Sequence, residues 1–146
     1  MRRTVLMSIK PTFARQILGG VKRYELRRKV FPLLEGDRVV LYESRPVMAI
    51  TGEFVAGRVA EMRPEDVIKL IREDALEGCG ELDVPYVVGR RPVLIIEVRE
   101  PRRYVRPVTL AELRAALGGF RPPASYALVR DPRLLSLIEE RAGEAR

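Results

Sequence analysis

The chain has 146 residues, 47% of them hydrophobic, enough for one cored domain over 1–146, and 27 Lys and Arg against 20 Asp and Glu give a formal charge of +7. No apolar run reaches the roughly 18 residues of a membrane-crossing helix, and Met1-Arg2-Arg3-Thr4 lacks the apolar stretch of a secretion signal, so a cytoplasmic protein with no membrane association is expected. With no histidine and a single cysteine, Cys79, the sequence excludes an internal disulfide, a His/Cys metal site and an imidazole-activated nucleophile; no metal and no cofactor are expected, and proton transfer falls to Lys, Glu, Asp or Tyr.

Thr4 to Ser8 is the first predicted strand, and its unbroken run Val5-Leu6-Met7 places it inside a sheet. Pro11 suits the first turn of a helix over about 12–18, with Phe13, Ala14, Ile17 and Leu18 at helical spacing and Gly19-Gly20 as its stop. In the strand that follows, Tyr24 to Arg28, alternate residues share a face. Lys22, Tyr24, Leu26 and Arg28 therefore point one way and Arg23, Glu25 and Arg27 the other. Arg38 to Ser44 is a β-branched strand after the Glu35-Gly36-Asp37 turn. Val47 to Met62, interrupted by Gly52 and Gly57, reads as two short strands or one bent by a bulge. Pro64-Glu65-Asp66 opens a helix over about 64–74, its acids at the positive end of the dipole. Residues 75–91, rich in glycines and acids, read as an excursion holding at most a little helix and ending at Gly89-Arg90-Arg91. Pro92 to Val98 is a strand, and Arg99 to Arg106 a basic connector or a continuing edge strand. Thr109-Leu110-Ala111-Glu112 is a capping box opening a helix to about residue 117. Ser125 to Val129 is the last strand, and Asp131-Pro132 caps a helix over about 131–141.

The basic excess points to polyanionic ligands, because cationic surfaces bind phosphates by Coulomb attraction and counterion release. An Arg-rich chain that is 32% charged suits the ion-pair networks of a thermophile equally well. Lys22 beside Glu25 has the pairing of a proton donor and a tuned base, and Arg27, followed by Arg28, presents a planar fork for a phosphate or a base edge. The plainer alternative is a salt-bridge-laced edge strand, since exposed ion pairs are common and weak. Phe120, Arg121, Ser125 and Tyr126 offer an aromatic and an arginine of the kind that hold an unpaired base and its phosphate, against the alternative of aromatics that fill a core. Ser8 and Lys10 at a strand end, and Tyr42, add hydroxyl and ammonium groups. Arg99, Arg102, Arg103 and Arg106 around Tyr104 are the densest basic run and read as a charged edge that discourages aggregation more than as a phosphate track.

Ser8-Ile9-Lys10-Pro11, an amphipathic helix, and then Gly20, Lys22, Glu25 and Arg27 in a Gly-x-Lys-x-x-Glu-x-Arg pattern closely resemble the ASCH domain (activating signal cointegrator homology), a branch of the PUA-like superfamily. Gly119-Phe120-Arg121-Pro122-Pro123-Ala124-Ser125-Tyr126 is similar to the Phe-x-Pro-Pro-x-Ser-aromatic segment that precedes the closing strand of many such domains. The resemblance runs from about residue 4 to about 129, strong at both ends and weak over 63–91. It implies an α+β fold, a PUA-like mixed β-barrel of about six strands with flanking helices, and a cleft for nucleic acid or a modified nucleoside. The function it implies is RNA binding linked to translation, RNA modification or its regulation. Ser8, Lys10, Lys22, Arg27, Arg28, Tyr42, Phe120, Arg121, Ser125 and Tyr126 are then the contacting residues, and RNA or a nucleotide-like ligand is the partner. The alternative is a hydrolase on RNA or a modified nucleoside with Lys22 and Glu25 catalytic. Some related proteins deacetylate acetylcytidine with a lysine, a threonine three residues on and a glutamate, and others are considered ribonucleases. Here Glu25 stands three residues after Lys22, which removes the hydroxyl. A third reading is an adaptor in transcription regulation with a protein partner.

Overall fold

The computed structural model describes residues 2–144. Strands β1 (Thr4–Ile9), β2 (Tyr24–Arg28), β3 (Arg38–Glu43), β4 (Ala49–Met62), β5 (Val93–Thr109) and β6 (Tyr126–Leu128) form one sheet in the order β2-β5-β4-β3-β1-β6. β1 and β3 are parallel and every other neighbouring pair is antiparallel. Helices α1 (Pro11–Leu18), α2 (Pro64–Arg72), α3 (Leu110–Leu117) and α4 (Pro132–Ala142) flank it. The β4–β5 register shifts three times, at Ile50/Gly52, Glu53/Val55 and Ala56/Val59. Such bulges add twist, and here they curl the sheet into a half-barrel. At Gly52 a Cβ would sit 2.6 Å from the Arg102 carbonyl oxygen and 2.8 Å from Leu18, so the missing side chain lets the end of α1 reach the sheet.

Both faces of the sheet are covered, which is why the β1 run is apolar without alternation. Ala14 and Ile17 of α1 pack with Val5, Met7, Val39, Leu41, Phe54, Leu94 and Ile96 on one face. On the other, Leu6, Val40, Tyr42, Ile50 and Val108 meet Leu113 of α3 and Ile138 of α4, and Leu26, Val93 and Ile95 meet Val67 and Ile71 of α2. Each such side chain contributes roughly 1.5–3 kcal/mol when fully buried.

β2 and β6 are the two edges of the sheet, and side chains rather than a ladder join them. The Tyr126 hydroxyl accepts from the Val30 and Phe31 amides at 2.8 and 3.1 Å and donates to the Phe31 carbonyl at 2.7 Å. Arg27 in β2 lies opposite Leu94, on the α1 face, and donates to the Ser8 carbonyl of β1 at 2.7 Å.

The structure decides between three pairs of alternatives left open by the sequence. Val47 to Met62 is a single bent strand from Ala49. The excursion over 75–91 holds a 3-10 turn, Glu81–Tyr86. It is seated by Gly78, whose φ of +86° and whose absent Cβ, which would fall 2.2 Å from the Val21 carbonyl oxygen, admit the close crossing. The basic stretch continues β5. β2 pairs only with Val93 to Glu97, so the arginine-rich half runs past it and forms an edge although β5 lies second in the sheet. Tyr104 in that run is buried and donates to Glu53 at 2.7 Å, while Arg38 donates to the same carboxylate through two bonds of 2.8 Å. Burial by itself raises the Glu53 carboxyl, yet the Arg38 and Tyr104 bonds hold it below the usual range.

Candidate functional site

A cleft of about 360 Å³ opens at the seam, where β2 meets the ends of β1 and β6. Ser8, Lys10, Phe13, Glu25, Arg27, Arg28, Ser44, Asp83, Tyr86, Arg91 and Ser125 line it. Its volume is that of a small-molecule site. Arg27 ties it together: Nε donates to Glu25 Oε2 at 2.8 Å, Nη2 to the Ser8 carbonyl at 2.7 Å, and Nη1 approaches the Ser125 carbonyl and hydroxyl at 3.4 Å. Glu25 opposes Ile96 on the same inner face, and its side chain is only 5% exposed. Its second oxygen makes no hydrogen bond to the described residues, a free acceptor on a cleft-lining residue beside a guanidinium with one spare N–H. Ser8 Oγ donates to the Pro123 carbonyl at 2.6 Å and so fixes the segment that carries Ser125.

Beneath the cleft Lys22 is wholly buried. Its ammonium is paired with Asp83, lies 3.4 Å from Cys79 Sγ, and sits 5.1 Å from the centre of the Phe13 ring. Burial by itself pushes Lys22 down, but the charge of Glu25 and the hydrogen bond and charge of Asp83 outweigh it and hold the ammonium above the ordinary lysine range. Lys22 is therefore a cation at neutral pH and holds a carboxylate in place rather than taking protons. Burial pushes the Cys79 thiol up to about 11, so it stays un-ionised and unreactive. The other Asp83 oxygen accepts from the Gly80 amide at 2.9 Å. Tyr86 meets Phe13 edge to face at 5.6 Å, and Lys10 Nζ stands 5.9 Å from the Tyr86 ring. Arg28 donates to the Val88 carbonyl at 2.8 Å and to that of Pro85 at 3.3 Å, which pins the turn that presents Tyr86.

Of the residues picked out in the sequence, Ser8, Lys10, Glu25, Arg27, Arg28 and Ser125 converge on this cleft. Lys22 lies under it, not on an exposed strand face, because the chain turns inward before β2 begins at Tyr24. Tyr42 is packed among Leu6, Val40 and Ile50 on the opposite face of the sheet, where burial raises its phenol. Phe120 packs on the same cluster, and Tyr126 is buried as the seam tie. Both aromatics therefore serve the core, and Arg121 is exposed outside the cleft lining. Asp83, Tyr86, Phe13 and Arg91 are the residues sequence reading missed. The signals were an acid three residues after Gly80 and the Pro85-Tyr86 pair in an otherwise polar excursion.

The curled six-stranded mixed sheet with flanking helices matches solved ASCH structures in fold. No protein-family model matches the sequence. Over 142 residues, 94% of this chain and 91% of the relative, it is 26% identical to an ASCH domain-containing ribonuclease of Zymomonas mobilis. The crystal structure of ASCH from Zymomonas mobilis matches it with a TM-score of 0.80 at 22% identity, covering 95% of this chain and 96% of that one. The N-terminal domain of Staphylothermus marinus McrB matches at 0.62 and 14% identity, covering 97% and 95%. The chain is thus similar in sequence to an ASCH domain protein and shares the fold of the solved ASCH structures.

Proposed function

We propose that the seam cleft binds single-stranded RNA and takes in one unstacked nucleotide. The observation that carries this reading is that a half-exposed aromatic, Tyr86, lines the same cleft as a buried carboxylate–guanidinium couple, Glu25 and Arg27, together with Lys10 and Arg91. Tyr86 supplies a stacking face, Glu25 accepts from a base N–H, Arg27 donates to the neighbouring acceptor, and the lysine and arginine attract phosphate. RNA affinity is expected to be micromolar or weaker and to fall steeply as salt rises. Tyr86→Ala should lose roughly 1–3 kcal/mol of binding, the worth of one stacked base. Its melting temperature should change little, because the ring is already 42% exposed. Fluorescence anisotropy with a labelled single-stranded RNA over a salt series checks both. Absence of RNA affinity at low salt, or full affinity in Tyr86→Ala, refutes the reading.

The similarity to an ASCH ribonuclease favours a second reading, cleavage of the bound strand. The free Glu25 oxygen would take the proton of a ribose 2′-hydroxyl. The ribose 2′-oxygen would bond to the adjacent phosphorus as the 5′-oxygen leaves with a proton from water, giving a 2′,3′-cyclic phosphate; the hydroxide left behind takes the proton back from Glu25, and Arg27 would neutralise charge on the phosphoryl oxygens. Glu25→Gln keeps the shape and removes the base, so it should abolish cyclic-phosphate products in an RNA digest analysed by mass spectrometry while RNA binding persists. An intact RNA pool after long incubation with the wild type leaves binding as the whole activity.

A further inference from the structure

A strand with one nucleotide in the cleft must run its neighbours past the adjoining strand ends. β1 and β3 are parallel and in register, Ile9 against Glu43, so both end on the same side of the sheet. β6 runs antiparallel to β1, with Tyr126 against Met7, so it begins on that same side. The three ends are tied by the Ser44 amide to the Ile9 carbonyl and the Ser8 amide to the Ser125 carbonyl, each at 2.9 Å. A cation lies close in sequence to each end: Lys10 directly after β1, Arg45 after Ser44, and Arg121 two residues ahead of Pro123, whose carbonyl accepts from the Ser8 hydroxyl. Neighbouring strands lie about 4.8 Å apart, so the three ends span about 10 Å beside Ser44 and Ser125 of the cleft wall.

Among the described residues, none of these three cations forms an ion pair, and Lys10 has only the Tyr86 ring for a partner. The denser arginine run on β5 differs in this respect. Arg99 is paired with both Glu35 and Glu97, Arg106 with Glu140 and Glu144, and Arg102 lies 3.7 Å from Glu53. Acids thus neutralise much of that run, whereas the strand-end rim keeps its field for an external anion.

We infer that the strand-end rim of Lys10, Arg45 and Arg121 carries the phosphates of the nucleotides that flank the one in the cleft, so that the bound strand leaves across the ends of β3, β1 and β6. This rests on the RNA reading of the cleft. The test compares nucleoside monophosphates, each titrated separately, with a mixed-sequence single-stranded RNA of about 12 nucleotides, a typical site size for such proteins. The double variant Arg45→Gln/Arg121→Gln should lose about tenfold in affinity for the longer RNA. The slope of log affinity against log salt should fall by about 1.4, two contacts at about 0.7 each, with monophosphate binding nearly retained. Arg99→Gln on the neutralised run should leave both ligands bound as in the wild type. Unchanged affinity and slope in the double variant, with monophosphates still bound by the wild type, overturns the rim and leaves the cleft reading standing. Failure of the wild type to bind either ligand overturns the cleft reading itself, and the rim with it. A poly-glutamate peptide bound as tightly as RNA, and weakened equally by the double variant, overturns the assignment of the rim to RNA.

Discussion

Asp83→Asn is expected to lower the melting temperature by roughly 10–20 °C. The exchange keeps the shape of the side chain and leaves the fully buried Lys22 ammonium without its paired carboxylate. Removing one partner of a buried pair costs about 3–5 kcal/mol, and a chain of this length shifts by about 3–4 °C per kcal/mol. An exposed edge-strand pair, the arrangement that the sequence suggests for Lys22, would cost under about 1 kcal/mol, so thermal unfolding separates the two. Adding Lys22→Met to Asp83→Asn removes the orphaned charge, and the double variant should melt above Asp83→Asn alone. The alkaline limb gives a second check. Lys22 has a higher pKa folded than unfolded, so its contribution is fully present below the ordinary 10.5 and is lost as pH rises through the higher folded value. An Asp83→Asn protein that melts within about 2 °C of the wild type would show that the pair contributes nothing.

The second large effect belongs to Arg27→Ala, which should lose both stability, by about 3 kcal/mol, and all measurable RNA affinity. Its guanidinium is the sole hydrogen-bond partner of the Glu25 carboxylate among the described residues, and it joins β2 to β1 and the β6 segment through the Ser8 carbonyl and Ser125. Charge-assisted bonds of this kind contribute about 1.5–3 kcal/mol each, and a buried carboxylate left alone adds its desolvation cost. Arg27→Lys keeps the charge, yet a single ammonium on a flexible stem cannot span three groups on two edges of the sheet, so it should recover only part of either loss. Calorimetry and RNA titration of Arg27→Ala and Arg27→Lys, carried out well below their melting temperatures, measure the two effects separately. Wild-type melting in Arg27→Ala would mean that Tyr126 alone holds the seam.

The sequence by itself determined the elements and most of their bounds. The apolar run of β1, the Pro11 start and Gly19 stop of α1, the Thr109–Glu112 capping box and the Asp131 cap are local signals, and each appears as read, the last two as hydrogen bonds of 3.1 and 2.9 Å. The pattern around Lys22, Glu25 and Arg27 also located the right stretch of chain for the cleft. Alternation along β2 correctly grouped Glu25 with Arg27, because side-chain direction in a strand follows from the backbone alone. Only the tertiary structure decided which charges are buried and which aromatics are free. Lys22 became a buried cation because Gly78 lets the 3-10 turn cross over it and bring Asp83 from 61 residues away. Phe120 and Tyr126 went to the core while Tyr86, in the stretch with no readable period, became the exposed ring. The cleft exists because bulges curl the sheet until its edges meet, and that closure depends on contacts between residues distant in the chain, such as Arg27 and Ser125 at a separation of 98, which no local pattern encodes.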